Sequence, residues 1–377
     1  MKKIFIVFTF LIVSQSLRAQ VPAIKKFIKN MYFNKDTSKH SSFVYVPVLT
    51  TAPETGVEVG GSGLFSFYSD TVKKTNVSNI FGYASITTKK QTNLTLNSTY
   101  WFPGNSLHLY GAVSYINFPF DFYGIGNATS QANKDLLGEH RFKLNLEAEK
   151  KIGDYFLLGV VGGGFYYHFH DADATSIYHT DPAVENKNGG PSIFGGPSVI
   201  FDSRNNNTYT TSGTIVTAYL NLNQGLFSNN NYQGGFFNIE YSGFFALSKQ
   251  LVLGFDVQEQ SLVGGQSPFY LMPAMGSDEM MRGYYNGRFR DRNYLAGQTE
   301  LRYRVSKRFG LDGFAATGEV FHSGFDAHDL KPDWGGGVRY FFDVQKGLTI
   351  RADYGVGEKR PGESRQQGLY IALGEAF

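Results

Sequence analysis

The sequence contains no cysteine, so neither a disulfide framework nor thiolate chemistry is open to it. Charge is sparse as well. Asp, Glu, Lys and Arg make up 18% of 377 residues, where a soluble domain normally carries about 25%. The net charge of +3 is too small and too dispersed to argue for a nucleic-acid partner. Long apolar runs are missing too. Beyond the N-terminus no stretch approaches the roughly 20 apolar residues of a spanning helix. A helical membrane protein is thereby excluded. A barrel is not, because half of every barrel strand faces a polar lumen, and the mean hydropathy of −0.24 fits that division.

What is present is aromatic and glycine-rich: 16% Phe, Trp and Tyr, and 44 glycines. These are residues of strands, turns and membrane-interface belts. Residues 1–20, MKKIFIVFTFLIVSQSLRAQ, have a basic start (Lys2, Lys3), an apolar run from Ile4 to Val13 and a small residue, Ala19, near a cleavage point. This three-part pattern predicts a secretory signal peptide. Residues 21–33 mix apolar and basic residues at near-helical spacing, which predicts a short amphipathic helix in a periplasmic segment over 21–42.

From about Ser42 the texture changes and then holds to the end. Segments of roughly 9–15 residues alternate apolar and polar between Gly, Asn, Asp, Ser or Pro clusters, as in antiparallel β structure. In RFKLNLEAEKK, Phe142, Leu144, Leu146 and Ala148 oppose Arg141, Lys143, Asn145, Glu147 and Glu149. In GQTELRYRV, Leu301, Tyr303 and Val305 oppose Glu300, Arg302 and Arg304. Periodicity alone does not separate a soluble sandwich from a membrane barrel. The signal peptide, the strand length and the aromatics favour the barrel, with lipid outside and charge in the lumen. About 16 such segments lie between residues 43 and 377. The expectation is an all-β fold: a 16-stranded antiparallel transmembrane β-barrel in the outer membrane, monomeric and surrounded by lipid. With a periplasmic N-terminus, the long connections 117–136, 171–190 and 264–293 fall outside, and the tight ones, such as Pro103-Gly104 and Gly153-Asp154, fall on the periplasmic side.

The chain ends GLYIALGEAF. Period-two spacing puts Leu369, Ile371, Leu373 and Phe377 on one face. A terminal Phe after alternating apolar residues resembles the tag by which the bacterial barrel-assembly machinery takes up its substrates, which makes that machinery an expected partner during biogenesis. Glu375 interrupts the apolar face.

Three motifs point to one family: MRGYYNGRFRDRNYLAGQTELRYRV (281–305), GPSVIFDSRNNNTYTTSGT (196–214) and DFYGIGN (121–127). Together they resemble the BamA/TamA superfamily of outer-membrane assembly and secretion barrels, the bacterial surface antigen family. The resemblance covers roughly residues 43–377. It implies a 16-strand barrel whose long sixth extracellular loop folds into the lumen and carries an Arg-Gly-aromatic tip, matched here by Arg282, Gly283 and Tyr284. An arginine inside a barrel needs a carboxylate, because an unpaired buried charge is expensive. Glu300 shares the polar face of its strand, so a bidentate Arg282–Glu300 pair is expected. The family usually adds an acidic residue in a Phe-x-Asp-x-Gly pattern on the next strand. Ala316 occupies that position here, leaving Asp312 and Asp353 as alternatives. Asp202 and Arg204 match the family's Asp-x-Arg periplasmic turn and are spaced to form an ion pair.

The family's periplasmic client-binding modules (POTRA domains, about 75 residues each) do not fit into the roughly 22 residues between the expected signal peptide and the first expected strand. The resemblance therefore implies a member without them, working in assembly, insertion or translocation of protein or lipid, with a partner protein to supply client handling. The alternatives are a passive channel or a structural surface antigen. An enzyme is the least favoured class. His168 and His170 lie two apart on one strand face, as in a rim girdle. No Gly-x-Ser-x-Gly motif occurs, and KNGGPSIFGG lacks the strand-to-helix context of a phosphate loop. No metal or cofactor is expected.

Overall fold

The computed structural model describes residues 41–52, 56–70, 75–227 and 232–377. The signal-peptide expectation and the amphipathic helix over 21–33 lie outside the described residues. The first strand opens at Ser41, two residues before the expected barrel boundary. Strands β1 Ser41–Ala52, β2 Gly56–Phe67, β3 Ser78–Thr87 and β4 Thr92–Trp101 are followed by β5 Leu107–Phe122, β6 Asp135–Ile152, β7 Phe156–His170 and β8 Gly190–Asp202. The second half holds β9 Gly213–Gly225, β10 Gln233–Ala246, β11 Leu251–Val263, β14 Asn293–Tyr303, β15 Phe309–Phe321, β16 Lys331–Asp343, β17 Leu348–Val356 and β18 Gln367–Leu373. Two short strands, β12 Ala274–Met275 and β13 Phe289–Arg290, pair with each other inside the β11–β14 connection.

The other sixteen strands form one antiparallel sheet in which each pairs with its neighbours along the chain. The period-two alternation sets its two faces. On β6 the exposed residues include Phe142, Leu144 and Leu146; on β7 they include Leu158 and Val160 (62% exposed). The largest fully buried side chains, by contrast, include Arg282, Arg288, Arg302 and Arg351. A soluble sheet shows the reverse. Apolar outside and charged inside is the arrangement of a barrel solvated by lipid, where every backbone group has to be paired within the sheet. Among the described residues no helix is long and apolar enough to cross a membrane. This chain crosses with strands.

The first strand is anchored at the periplasmic rim. Ser42 of β1 donates to Asp343 and accepts from Lys346 Nζ at 2.9 Å, so β1 starts against the β16–β17 turn. β18 stops early. Leu373 pairs with Ile350, the Gly374 N–H bonds to the Thr349 carbonyl at 2.9 Å, and Gly374 then takes a φ of 93°. That left-handed conformation, easy only for glycine, turns the last three residues inward.

Candidate functional site: the locked lumen

The polar faces of β14 to β17 carry the site. Strand pairing sets Arg302 opposite Asp312, Asp312 opposite Gly337 and Gly337 opposite Asp353. One step toward the outside, Glu300, Phe314, Gly335, Gly355 and Gly368 form a second row across β14 to β18. Alternation puts both rows in the lumen. Arg339 reaches them from β16 and Arg351 from β17.

The β11–β14 connection descends onto this wall and places Arg282 at its centre. Arg282 Nη2 lies 2.5 Å from Glu300 Oε2 and 3.1 Å from Gln298 Oε1; Nη1 lies 2.9 Å from Asp353 Oδ2 and 3.9 Å from Asp312 Oδ2. The guanidinium also sits 3.6 Å over the centroid of the Phe314 ring, a cation–π contact strengthened by desolvation. Arg282 and Glu300 are both 0% exposed. The pairing is therefore wider than one carboxylate. Arg302 holds the second oxygen of Glu300 at 2.7 Å. Arg339 forms an ion pair with Asp312 at 2.8 Å, bonds Glu375 at 2.9 Å, and contacts Asp353 as well. Arg351 joins Asp353 at 2.7 Å to Asp278 of the loop at 2.6 Å. Asp353 takes the direct bond that Ala316 cannot supply, while Asp312 stands further off and works chiefly through Arg339.

Gly283 and Tyr284 complete the tip. The Gly283 N–H donates to Asp333 Oδ1 at 2.9 Å. The Tyr284 hydroxyl donates to the Pro332 carbonyl at 2.8 Å and accepts from the Glu358 N–H at 3.0 Å, and Tyr370 donates to the Tyr284 carbonyl at 3.1 Å. The glycines of the wall form the trough beneath. A Cβ on Gly355 would fall 2.5 Å from the Arg282 carbonyl carbon, and one on Gly368 would strike the Arg282 oxygen. No side chain larger than hydrogen fits at either place.

Above the tip the same loop ties the extracellular connections together. Gly126 of the 121–127 motif donates to the Arg290 carbonyl at 2.8 Å, and the Asp121 N–H to the Tyr285 hydroxyl at 3.0 Å. Arg288 donates to Thr129 at 2.9 and 2.7 Å and faces Glu363 at 3.6 Å. Beneath this cap Phe122, Tyr178, Phe269 and Phe169 pack edge to face or tilted. Two residues of the 121–127 motif, Asp121 and Phe122, still belong to β5, which runs six residues beyond its expected end because Phe122 has this cluster to pack against.

At the opposite mouth Arg204 grips both oxygens of Asp202, at 3.0 and 2.9 Å, and also donates its backbone N–H to Asp202. This stiffens the 203–212 turn, which crosses the opening. Asn207 exchanges two hydrogen bonds with the Val77 backbone, at 3.0 and 3.1 Å, and the Tyr209 ring meets Phe341 edge-on at 5.0 Å.

The C-terminal expectation needs correction. Leu369 and Ile371 point to lipid, exposed by 70% and 67%. Phe377 does not share their face. The turn at Gly374 sends it into the lumen, where its ring stacks on Phe244 at 5.7 Å and lies under Arg302 at 4.6 Å, while the Phe377 carbonyl accepts from Arg302 at 3.0 Å. Glu375 follows the same path, to Arg339 and Thr349. A charged residue interrupting the apolar face was the sequence sign that the strand ends before the chain does.

His108, Glu149 and Ser198 also come together, toward the periplasmic end of the lumen. Glu149 is fully buried and takes His108 Nδ1 at 2.8 Å on one oxygen and Ser198 Oγ at 3.0 Å on the other. A nucleophilic serine needs its hydroxyl on the imidazole. Here the hydroxyl is on the carboxylate, so the cluster reads as a satisfied polar core. His140 and His168 stand opposite one another on the outer wall with ring centroids 6.3 Å apart. Among the described residues no group of three or more His, Asp or Glu is placed to hold a metal.

These features define a class: an outer-membrane β-barrel whose long extracellular loop is locked in its lumen by a buried arginine. Solved outer-membrane structures share the fold. BamA from Haemophilus ducreyi lacking POTRA domains 1–3 matches with a TM-score of 0.57 and 11% identity, over 89% of this chain and 70% of that one. CdiB from Acinetobacter baumannii matches with a TM-score of 0.55 and 11% identity, over 89% of this chain and 60% of that one. CdiB from Escherichia coli gives 0.50 and 10%, over 89% and 62%. The chain thus spans less than two thirds of the length of either CdiB protein. No family model and no curated protein sequence matches it. At these identities the likeness is one of fold, and the fold is BamA/TamA-like.

Proposed function

We propose that this barrel assists insertion or translocation of protein or lipid at the outer membrane by parting along the edge between β1 and β18. The observation that carries this reading is the shortness of that edge. β1 pairs with β2 over twelve residues, but β18 has only seven, because Gly374 turns the chain away. At most seven residue pairs can close the edge. Each backbone group left unpaired there faces hydrocarbon at a cost of several kcal/mol, which an incoming strand or a disordered lipid would relieve. The neighbouring wall stays rigid, since Arg282 and Gly283 are seated on Gly355 and Gly368. The shared fold with BamA and CdiB supports the same reading, and a periplasmic partner protein would present the client.

A passive channel or structural surface antigen is the second reading, favoured by the open space in the half of the lumen opposite the lock. The two part experimentally. Since the chain has no cysteine, paired cysteines can be scanned across the edge, starting with Tyr45→Cys and Ile371→Cys, both on the outward face. The purified barrel in liposomes should accelerate insertion of a urea-unfolded eight-stranded barrel protein. A disulfide across the edge should abolish the acceleration and reductant should restore it. A stapled protein as active as the reduced one, or no acceleration at all, rejects the proposal.

A further inference from the structure

The lumen is packed on one side and hollow on the other. Between β6 and β11 lies a cavity of about 320 Å³, lined among others by Lys143, Asn223, Gln260, Phe165, Tyr219 and Tyr270. Residues 270–274 of the long loop roof it on the extracellular side. Asn145, Glu147 and Tyr219 are shared with a second cavity of about 520 Å³ that reaches Arg204 and Asn207 at the periplasmic mouth. The upper space is of small-molecule size, where sites run roughly 300–1,000 Å³.

Lys143 sets the chemistry. It lies on the inward face of β6, yet its side chain remains exposed, so its accessible surface is turned to the cavity. Arg141 and Glu147 are within electrostatic reach. Among the described residues, however, no carboxylate forms a salt bridge with Lys143 and no acceptor takes its ammonium. A chamber-facing ammonium with no carboxylate on it is open to an anionic occupant, which would gain a charge-assisted hydrogen bond there. Along β6 the inward charges run from Arg141 and Lys143 at the top to Glu147 and Glu149 below, with Lys143 and Glu147 about 13 Å apart. The rest of the lining alternates aromatic faces with amide side chains. Rings of that kind suit a flat C–H face, and amides suit a rim of hydroxyl groups, both donating and accepting. A sugar offers both surfaces on one molecule.

We propose that this chamber binds a short acidic saccharide from the periplasmic side. The acid group sits on Lys143, the hydroxyl rim on Asn223 and Gln260, and the ring face against Phe165, Tyr219 and Tyr270. The chamber lies on the wall opposite the edge between β1 and β18, so this proposal stands or falls separately from the edge-opening function.

The test uses the full barrel refolded in detergent micelles, with heat-modifiable migration on gels as the check of folding. Digalacturonate, maltose and inorganic phosphate are titrated separately by calorimetry and by saturation-transfer NMR. Digalacturonate should bind at least ten-fold more tightly than maltose. Lys143→Met should remove that preference, with maltose affinity changing less than two-fold, and Asn223→Leu should weaken both sugars several-fold. Binding of phosphate with no saturation transfer to either sugar overturns the saccharide assignment. Digalacturonate affinity unchanged by Lys143→Met overturns the role of the ammonium. Absence of any binding in the folded barrel overturns the site.

Discussion

The two halves of the lumen are built from the same kind of strand and filled in opposite ways. Along β14 to β17, four arginines (Arg282, Arg302, Arg339, Arg351) interlock with Glu300, Asp312, Asp353, Glu375 and Asp278. The loop tip lies on a trough of glycines, and Phe377 fills the floor. Along β5 to β10, Lys143 and a set of amides and tyrosines border open space. The difference comes from one segment. The Arg282 tip of the long loop is seated on the β14–β18 wall, where Gly355 and Gly368 stand at one level and admit its backbone, while residues 270–274 only roof the other half. Charge inside a membrane protein is therefore tolerated in two ways here, by mutual pairing where the tip arrives and by contact with a solvated cavity where it does not.

This contrast can be broken most directly at Arg282. Arg282→Met leaves Glu300 and Asp353 facing a reduced set of cations, and breaking a buried ion pair costs about 3–5 kcal/mol. The midpoint of urea unfolding, followed by gel migration, should fall accordingly. A midpoint equal to that of the unsubstituted chain would mean that the lock carries no stability. A smaller effect is expected from Gly355→Ala, which keeps every charge and removes only space. Overpacking of this kind costs roughly 1–3 kcal/mol, and it should expose Arg282 and Arg288 to added trypsin. If the loop stays protected, the trough is not what seats it. Phe377→Ala removes a ring stack and a cation–π contact, together about 1–2 kcal/mol. It should lower the amount of folded protein recovered from outer-membrane fractions, and unchanged yield would count against both the tag and the floor. The smallest effect belongs to the hollow half. Lys143→Met breaks no ion pair and should move the unfolding midpoint by no more than about 0.5 kcal/mol. A loss as large as that at Arg282 would show that the two halves are not built differently after all.

How much of this could be read in the sequence differs from element to element. The strands were legible because an inside-out barrel still obeys period two. In β6 and β14 the charged residues alternate with apolar ones along the whole strand, and the strand positions follow directly. Arg282 was legible because an arginine inside a barrel demands a carboxylate and Glu300 shares the polar face of its strand. Its other partners were less so. Asp353 is 71 positions away and reaches Arg282 only through the register of β14, β15, β16 and β17. The partnership of Phe314 with the guanidinium depends on the same register. The terminal Phe misled for a related reason. Period-two spacing continues through Gly374 on paper, and only the φ of 93° at that residue redirects Glu375 and Phe377 into the lumen.

The sequence by itself settled the class of the fold, the number and direction of strands, the inside-out distribution of charge and the identity of the loop tip. The first three are local patterns, repeated often enough to outweigh any single ambiguous residue; the loop tip was identified through the family resemblance of its Arg-Gly-Tyr segment. The tertiary structure alone decided which carboxylates hold Arg282, where the chain end goes, how short the edge between β1 and β18 is, and that one half of the lumen stays open. Those outcomes depend on which strands stand beside each other at which level. That is set by sheet register and by how far one long loop can reach, and neither is written in any single segment.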